Sequence, residues 1–339
     1  MEDEYNSICY ELFSDIFFTL FIETKMNSFP LVSVLIPLYN AEQYIEDTII
    51  RLKKQTYPNI EVIIVDDHST DKSLKIAQKY VSEQVHVYVN PKKGGNSARN
   101  YAFLQSRGEY VKFIDADDFC SDNLIESQIE RILSEGTQQT VVFSPVRMYY
   151  PDGQRLFPPR RIDRDYVPGI ELLLDIWRGK GFNCPHCHLM HRSLVDKVKG
   201  WNERIIKNQD GEFFARIYAA ADKALSVKSA YVVWWQTGNG VSTQMSLKAI
   251  ESVCETHYII SDLIYSYRND EETRKICGRV MGAYIFFNYP LVKPLLPQVE
   301  AYCKETNTVL FFPKRRSISV LKFLFGWKIT AIISNKYLK

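Results

Sequence analysis

Between residues 31 and 144, short apolar runs alternate with longer stretches of helical periodicity. Strands that alternate with helices of roughly 10 to 15 residues form βαβ units, whose right-handed crossovers leave the strands parallel and place helices on both faces of one sheet. The pattern therefore predicts an α/β fold built on a mostly parallel sheet. The five runs that are typical of strands are residues 32–38, 60–65, 85–89, 110–114 and 140–144.

Polar residues directly follow three of these runs. The first run ends in the turn 37–40, the second in Asp66 and Asp67, and the fourth in the acidic segment 115–118. In open α/β sheets, ligands bind beyond the carboxyl ends of the strands, and parallel strands finish at the same edge. We therefore expect these polar residues to meet at one edge of the sheet. Asn40 is also expected to cap the helix that follows the first run.

The acidic segment carries Asp115, Asp117 and Asp118 within four positions. Two unit charges about 5 Å apart repel by roughly 3 kcal/mol at an effective dielectric near 20, so the cluster favours a compensating cation. Hard oxygen ligands favour Mg²⁺ or Mn²⁺, which also bind the phosphates of a substrate. The alternative is a solvated acidic turn before the next helix, which Asp122 could cap alone.

Arg99 lies in the first turns of a predicted helix that begins after Gly94 and Gly95. The free N–H groups of a helix N-terminus attract anions. The segment lacks the spacing of a Walker phosphate-binding loop, and a glycine pair is equally typical of an ordinary turn. Arg99 becomes a candidate for anion contact because the carboxylate segments are predicted to lie at the same edge.

The composition is that of an ordinary globular protein, with 46% hydrophobic and 24% charged residues in a chain of 339. The formal net charge of +2 argues neither for nor against a polyanionic partner, and we expect no nucleic acid among the partners. Seven scattered cysteines favour reduced thiols and a cytoplasmic location over a disulfide framework. The length predicts one large domain with an appended part.

Three segments together resemble the successive signatures of family 2 glycosyltransferases. They are "VSVLIPLYNAEQYIEDTIIRLKKQTYPNIEVIIVDDHSTDKS", "GGNSARNYAFLQSRGEYVKFIDADD" and "NQDGEFFARI". The resemblance covers roughly residues 31–245 and is most specific over its first hundred positions. It implies the GT-A fold, a nucleotide-sugar donor, a divalent metal (Mn²⁺ or Mg²⁺) and inversion at the anomeric carbon.

The resemblance also implies roles for the residues around the predicted nucleotide. The turn formed by Pro37, Tyr39 and Asn40 would border the nucleobase and the ribose. Asp67 would accept a hydrogen bond from the uracil ring, while Asp66 would support the turn. A UDP-sugar is the preferred donor because the carboxylate of Asp67 suits the N–H group of uracil.

The remaining roles concern the diphosphate, the metal and the chemistry. By resemblance, Arg99 would lie near the base and the diphosphate. Asp115 and Asp117 would form the Asp-x-Asp pair that contacts the ribose and the metal, with Asp118 beside the donor sugar. Which of the three binds the ion directly stays open. Asp210 matches the catalytic base of the family, and its alternative role is an exposed acid that caps a helix over 211–220.

The function implied by the resemblance is transfer of a sugar from a nucleotide-sugar to a saccharide or lipid-linked saccharide acceptor, in the synthesis of a bacterial cell-surface polysaccharide. A non-catalytic carbohydrate-binding protein on the same fold is one alternative, which the presence of the metal acids and of Asp210 opposes. A sugar nucleotidyltransferase is the other. It would need a glycine-rich basic loop after the first strand, where this chain has the turn 37–42.

A cysteine and histidine cluster stands outside these assignments. Cys184 and Cys187 form half of a zinc signature, but no second pair follows at the spacing of a zinc finger or ribbon. The alternatives are side-chain packing and a contact of His191 with the site. Residues 234–243 resemble the loop that closes over the donor in the family. A packed pair formed by Trp234 and Trp235 is the alternative there.

Four parts of the chain are expected. Residues 1–27 are an N-terminal extension that is not native, or else a short helix docked on the domain. Residues 28–147 form the nucleotide-sugar-binding half and residues 148–245 the acceptor-binding half with the catalytic base. Residues 246–339 form a helical, basic extension. Its cationic and aromatic tail suits the inner face of an anionic plasma membrane, with a helix packed on the domain as the alternative.

Overall fold

A mostly parallel sheet of seven strands dominates the computed structural model, which describes residues 29–150, 152–157, 160–235, 245–313 and 326–332. A second sheet of four short strands lies beside it. The main sheet contains β1 (Val32–Leu38), β2 (Ile60–Asp66), β3 (Val85–Val89), β4 (Tyr110–Phe113), β6 (Thr140–Phe143), β9 (His188–His191) and β10 (Lys223–Ser226). The second sheet contains β5 (Phe119–Cys120), β7 (Val146–Tyr149), β8 (Arg155–Leu156) and β11 (Val232–Trp235).

Most α-helices lie between strands along the chain, and the rest follow the last strand. Those with defined bounds are α1 (Ile45–Leu52), α2 (Ser73–Gln78), α3 (Gly95–Gln105), α4 (Leu124–Leu133), α5 (Ile170–Trp177), α6 (Arg192–Lys197), α7 (Gln209–Ala220), α8 (Leu247–Tyr267), α9 (Glu271–Asn288) and α10 (Leu296–Glu305). The predicted α/β fold class is thus confirmed, with helices through the C-terminal region.

The central strands are buried on both faces, as expected of parallel strands covered by helices. On one face Leu35 belongs to an apolar cluster with Ala98 of α3. On the other face Ile36 clusters with Ile45 and Ile49 of α1. Full burial of each such aliphatic side chain stabilises the fold by about 1.5–3 kcal/mol. This packing explains why the five predicted strands form where the sequence places them.

Two strands of the main sheet were not expected. The order is β10-β6-β9-β4-β1-β2-β3, so β9 lies between β4 and β6, antiparallel to both. Its sequence His-Leu-Met-His is short and half histidine, and it has none of the β-branched residues that favour strands. β10 pairs with β6 at the edge. Both strands come from the part of the chain where the alternating pattern fades.

Asn40 does not cap the first helix, which corrects the expectation from the sequence. α1 begins at Ile45, and Asn40 has a left-handed backbone with φ of 47°. The Asn40 side-chain carbonyl accepts from the amide of Thr70 at 2.8 Å, and the Asn40 amide donates to the Ser69 hydroxyl at 3.1 Å. The residue therefore joins the turns that follow β1 and β2.

The C-terminal region is helical over α8, α9 and α10, as the sequence predicts. The segment 309–311 lies against α9 where that helix has Gly278 and Gly282, and the amide of Phe311 donates to the Gly278 carbonyl at 3.0 Å. Within the described ranges, no helix is long and apolar enough to cross a bilayer.

Several predictions concern residues that the structure does not describe. The N-terminal extension, residues 1–27, lies outside the described residues, and so do residues 236–243 of the expected loop and most of the basic tail. The division after residue 147 stays a prediction about function. It does not divide the main sheet, because β9 and β10 join strands from the first half.

Candidate functional site

The registers of the parallel strands place the polar segments at one edge. Leu38 of β1 pairs with Asp66 of β2, and Leu35 pairs with Phe113 of β4. The chain leaves these strands in the same direction, so the turn after β1, the acids after β2 and the acidic segment after β4 follow side by side. The expected meeting of these segments at the carboxyl edge is thus present in the fold.

Arg99 lies at the centre of this edge. It is in the first turns of α3 and is only 7% exposed, with its guanidinium 4.6 Å from the centre of the Trp201 ring. Its Nη2 donates to Asp115 Oδ1 at 2.8 Å. Burial lowers the pKa of Arg99, but the negative charges of Asp115, Asp210 and Asp67 outweigh it and raise that pKa. Carboxylates from three separate segments therefore act on one cation.

The carboxylate of Asp67 is bound by residues that directly precede α3, not by the turn after β2. Its Oδ1 accepts from the Gly94 amide at 2.7 Å and from Asn90 Nδ2 at 2.8 Å. Its Oδ2 has no hydrogen-bond partner among the described residues. Asp66 instead accepts from the Ser69 amide at 3.2 Å and so supports the turn after β2. The predicted support of the turn by Asp66 is thus seen, and the contact of Asp67 with a uracil ring stays a prediction.

The turn after β1 presents an aromatic ring at the edge. Pro37 still belongs to β1 and pairs with Val65 of β2. Tyr39 is 51% exposed, and the ammonium group of Lys93 lies 5.5 Å from the centre of its ring. Together with the left-handed Asn40, the exposed ring forms a surface on which a planar group could stack.

Within the acidic segment, the carboxylate of Asp117 has a raised pKa. It is partly buried and has no hydrogen-bond partner among the described residues. Burial first, and then the charges of Asp118 and Asp115, raise the pKa of Asp117 to about 7. A divalent cation at this carboxylate would offset that cost. Within the described residues, no three His, Cys, Asp or Glu side chains are arranged to hold a metal by themselves.

The carboxylate of Asp118 contacts other residues of the protein. It is 4% exposed, and its Oδ1 accepts from the Trp235 amide at 3.1 Å. Its Oδ2 lies 3.0 Å from His186 Nδ1. Both carboxylate oxygens thus have protein partners that fix the position of Asp118, and its predicted place beside the donor sugar stays a prediction.

His186 is the site residue that the sequence did not reveal. It is fully buried, and besides the ion pair with Asp118 its Nε2 lies 3.1 Å from the Val233 carbonyl oxygen. Burial lowers the pKa of His186, but the charge of Asp118 outweighs it and raises the pKa to about 9. A protonated imidazole donates from Nε2 to the Val233 carbonyl, while its Nδ1 faces the Asp118 carboxylate at ion-pair distance without the geometry of a hydrogen bond. Its position between two cysteines suggested zinc or packing instead.

Part of the cysteine and histidine cluster comes together, because the sulfur atoms of Cys184 and Cys187 are 3.3 Å apart and His186 Nε2 lies 3.7 Å from the Cys184 sulfur. His188 is directed elsewhere, with its Nε2 2.6 Å from the Tyr218 hydroxyl. His191 pairs with Tyr110 at the amino end of β4. Of the two alternatives for His191, the structure favours packing, because its ring lies edge-on against that of Tyr110 and the site lies beyond the opposite end of that strand.

Asp210 lies in the first turn of α7 and is partly buried. It has no hydrogen-bond partner among the described residues. Burial raises the pKa of Asp210 to about 6, with Arg99 opposing that shift and Asp115 and Asp118 adding to it. A carboxylate with a raised pKa and no partner is suited to accept a proton. Asp210 is inside the helix rather than at its cap, which Asn208 occupies.

The family described as Glycosyl transferase family 2 matches the chain over residues 33–199. Among curated proteins, the chain is 45% identical over 104 residues to TuaG of Bacillus subtilis (strain 168), a glycosyltransferase named for teichuronic acid biosynthesis. That match covers 30% of this chain and 41% of TuaG, so the chain spans about two fifths of that relative. The glycosyltransferase GlyG of Streptococcus pneumoniae serotype 4 is 27% identical over 244 residues, covering 66% of this chain and 77% of GlyG.

Solved structures resemble the whole fold. Residues 1–349 of TarS from S. aureus superpose with a TM-score of 0.63 at 20% identity, over 90% of this chain and 88% of that one. The same TarS segment has been solved with UDP, with a TM-score of 0.62 at 21% identity and the same coverage. The mannosyltransferase PcManGT from Pyrobaculum calidifontis, solved with GDP-Man and Mn²⁺, superposes with a TM-score of 0.53 at 15% identity, over 91% of this chain and 88% of that chain. At these identities the likeness concerns the GT-A fold alone.

Proposed function

Because this chain belongs to glycosyl transferase family 2, we propose that it transfers a sugar from a nucleotide-sugar, preferably a UDP-sugar, to a saccharide or lipid-linked saccharide acceptor. The transfer is metal-dependent and inverts the anomeric carbon, and it serves the synthesis of a bacterial cell-surface polysaccharide. The observation that carries the proposal is the buried Arg99 guanidinium at the carboxyl edge of the sheet, which donates to Asp115 at 2.8 Å. The charges of Asp115, Asp210 and Asp67, from three distant segments, raise the pKa of Arg99.

The nucleotide would bind over the ends of β1 and β2. The free Oδ2 of Asp67 accepts a hydrogen bond from the uracil N–H, while the exposed ring of Tyr39 covers one face of the base. The left-handed Asn40 keeps the two turns together and so fixes the distance between these contacts. Arg99 and the free N–H groups at the start of α3 provide positive potential for the diphosphate. Complexes of TarS with UDP and with UDP-GlcNAc support a nucleotide-sugar of this type.

Asp117 and Asp115 would hold Mg²⁺ or Mn²⁺. The fit depends on Asp117, whose carboxylate is bound by no other residue in the described part of the chain and is repelled by Asp118 and Asp115. Two carboxylates are also the usual protein share of a Mg²⁺ site, in which water and substrate phosphates complete the coordination. When bound, the ion offsets the negative charge that develops on the departing diphosphate.

Asp210 would act as the general base. It takes the proton of the attacking acceptor hydroxyl, a step that contributes typically about 10²- to 10⁴-fold to the rate. Arg99 prevents the pKa of Asp210 from rising further, so that the carboxylate is ionised near neutral pH. Since the base approaches the anomeric carbon on the side opposite the diphosphate, its use predicts inversion.

The test is the release of UDP from a UDP-sugar in the presence of Mn²⁺. Asp117→Asn and Asp210→Asn should each lower kcat by about 10²-fold or more, because each removes a charge that the reaction uses. Asp196→Asn, at an exposed acid on α6, is the matched control and should leave the rate unchanged. Wild-type turnover in both site variants would exclude this mechanism. Binding of UDP without turnover in wild type would favour a non-catalytic protein.

A further inference from the structure

A groove lies on the outer face of the second sheet, beside the candidate site. Its volume is about 440 Å³, within the range of about 300–1,000 Å³ typical of small-ligand sites. Side chains of β5, β7 and β11 form its floor, and Arg51 of α1 and Arg155 of β8 contribute to its wall. None of the roles assigned above uses this groove.

The alternation of side chains along the strands creates the groove. Val233 and Trp235 of β11 point into it, whereas Val232 and Trp234 pack toward the main apolar core. In β7, Tyr149 lines the groove while its neighbour faces that core. One face of this sheet is therefore core, and the other carries large, partly exposed rings.

Three neighbouring rings, called the platform below, line the groove floor at different inclinations. The centre of the Phe119 ring lies 6.1 Å from that of Tyr149 at an interplanar angle of 72° and 6.2 Å from that of Trp235 at 42°, and the Arg51 guanidinium lies 4.4 Å from the centre of the Phe119 ring. All three are partly exposed rather than packed in a core. Rings with an apolar face and a polar edge suit a sugar, whose C–H groups stack on the face while its hydroxyls bond at the rim.

Guanidinium groups surround this platform. Arg155 lies 4.9 Å from the centre of the Tyr149 ring, and Arg147 lies 3.3 Å from the centre of the Tyr231 ring. In the described part of the chain, neither arginine has a carboxylate within ion-pair distance. Arg51 has one, because it pairs with Asp47 at 2.6 Å. Asp122 is the one acid among the described residues that line the groove.

The groove begins where the candidate site ends. β5 starts immediately after Asp118, and the amide of Trp235 donates to that carboxylate while the Trp235 ring lines the groove. A chain bound on the platform would therefore have one end next to the acidic segment.

We propose that this groove binds an acidic saccharide chain, with sugar rings on the Phe119, Tyr149 and Trp235 platform and a carboxylate or phosphate on Arg155. Guanidinium binds such groups through two parallel hydrogen bonds, which an uncharged sugar cannot offer. The identification of the bound chain as the acceptor rests on the proposed function, whereas the binding of an acidic chain in the groove is independent of it. The inference adds a substrate class to that function, since the acceptor would be negatively charged.

The experiment measures binding of two hexamers to the full chain by calorimetry. One is an oligomer of galacturonic acid, and the other is maltohexaose, which has no charge. The acidic hexamer should bind at least about tenfold more tightly, and its binding should weaken as salt rises from about 0.05 M to about 0.5 M. Arg155→Gln should weaken acidic binding about tenfold or more. Arg279→Gln, at an exposed arginine of α9, should change nothing.

Binding of UDP with Mn²⁺, measured on the same samples, separates this inference from the proposed function. Arg155 is exposed, so Arg155→Gln should fold and should bind UDP as wild type does. Equal affinity for both hexamers, or no binding of the acidic one while UDP binds, would overturn the inference and leave the proposed function standing. Binding of the acidic hexamer without any binding of UDP would support the groove and contradict the proposed function.

Discussion

His186 Nδ1 lies 3.0 Å from Asp118 Oδ2, and both side chains are almost fully buried. The contact fixes the acidic segment against the segment before β9. His186 also reaches the carbonyl of Val233, and Trp235 in the same strand donates to Asp118. The histidine and the carboxylate thus hold β11 and the acidic segment in a fixed relation, although neither lies at the exposed part of the site.

Breaking this ion pair should destabilise the protein and displace the acidic segment relative to β11. Removal of one partner of a buried pair leaves an uncompensated charge and typically costs about 3–5 kcal/mol. We expect His186→Gln and Asp118→Asn each to lower the free energy of unfolding, and the double variant to lose less than the sum. Chemical denaturation of the four proteins gives the coupling energy. A coupling energy near zero would show that the two charges do not interact.

Asp117→Asn should stabilise the protein in the absence of metal. Burial, together with Asp118 and Asp115, raises the pKa of Asp117 from 3.8 to about 7, so the folded state favours the protonated form. The contribution of this group to stability is full below pH 3.8 and is lost as the pH rises through about 7. At about pH 8, the variant should therefore gain about 1–3 kcal/mol over wild type.

Thermal unfolding with a chelator at acid and at alkaline pH measures this gain. The stabilisation should be present at alkaline pH and small near pH 4, and it should be absent in Asp196→Asn. Added Mn²⁺ with UDP should raise the Tm of wild type but not that of Asp117→Asn. An equal or lower Tm for the variant at alkaline pH would show that Asp117 is not under repulsion.

The proposed base predicts a pH profile. The pKa of Asp210 is raised to about 6, and a base must be ionised to accept a proton. We expect kcat/KM for UDP release to rise with pH through about 6 and then to level off. The residual activity of Asp210→Asn should lack this rise. A profile with the same rise in both proteins would assign the titration to another group.

Gly278→Ala should destabilise the C-terminal helices. A Cβ atom at this position would lie 2.0 Å from the carbonyl oxygen of Val309, on a backbone that packs against α9. Alanine gains roughly 0.5–1 kcal/mol over glycine within a helix, but the required backbone shift typically costs about 1–3 kcal/mol. The expected result is a net loss of stability in chemical denaturation. A more stable variant would mean that the segment 309–311 moves freely away from α9.

β1, β2 and β4 could be predicted because they are central strands of the main sheet. β1 and β2 need apolar residues on both faces, which produces continuous apolar runs that are visible in the sequence. β9 could not be predicted in the same way. Its two histidines find partners in distant residues, His188 in Tyr218 and His191 in the ring of Tyr110. Those contacts exist only after the chain has folded.

The candidate site shows the same contrast. The acids after β2 and β4 were predicted to meet because they follow neighbouring parallel strands. The position of Asp118 could not be predicted, since it depends on His186, which enters from the segment before an antiparallel strand. The groove depends on which face of β11 is solvent-exposed. Because β11 reads Val-Val-Trp-Trp, each face receives one valine and one tryptophan, and the pattern does not distinguish the two faces.

The insertion of β9 between β4 and β6 has a consequence for biosynthesis. During translation, β4 and β6 leave the ribosome well before β9, the strand that pairs with both of them in the folded protein. Until residue 191 emerges, β4 and β6 each present an unpaired edge, and unpaired edges favour association with other chains. A nascent fragment that ends near residue 147 would therefore expose strand edges that the complete chain covers.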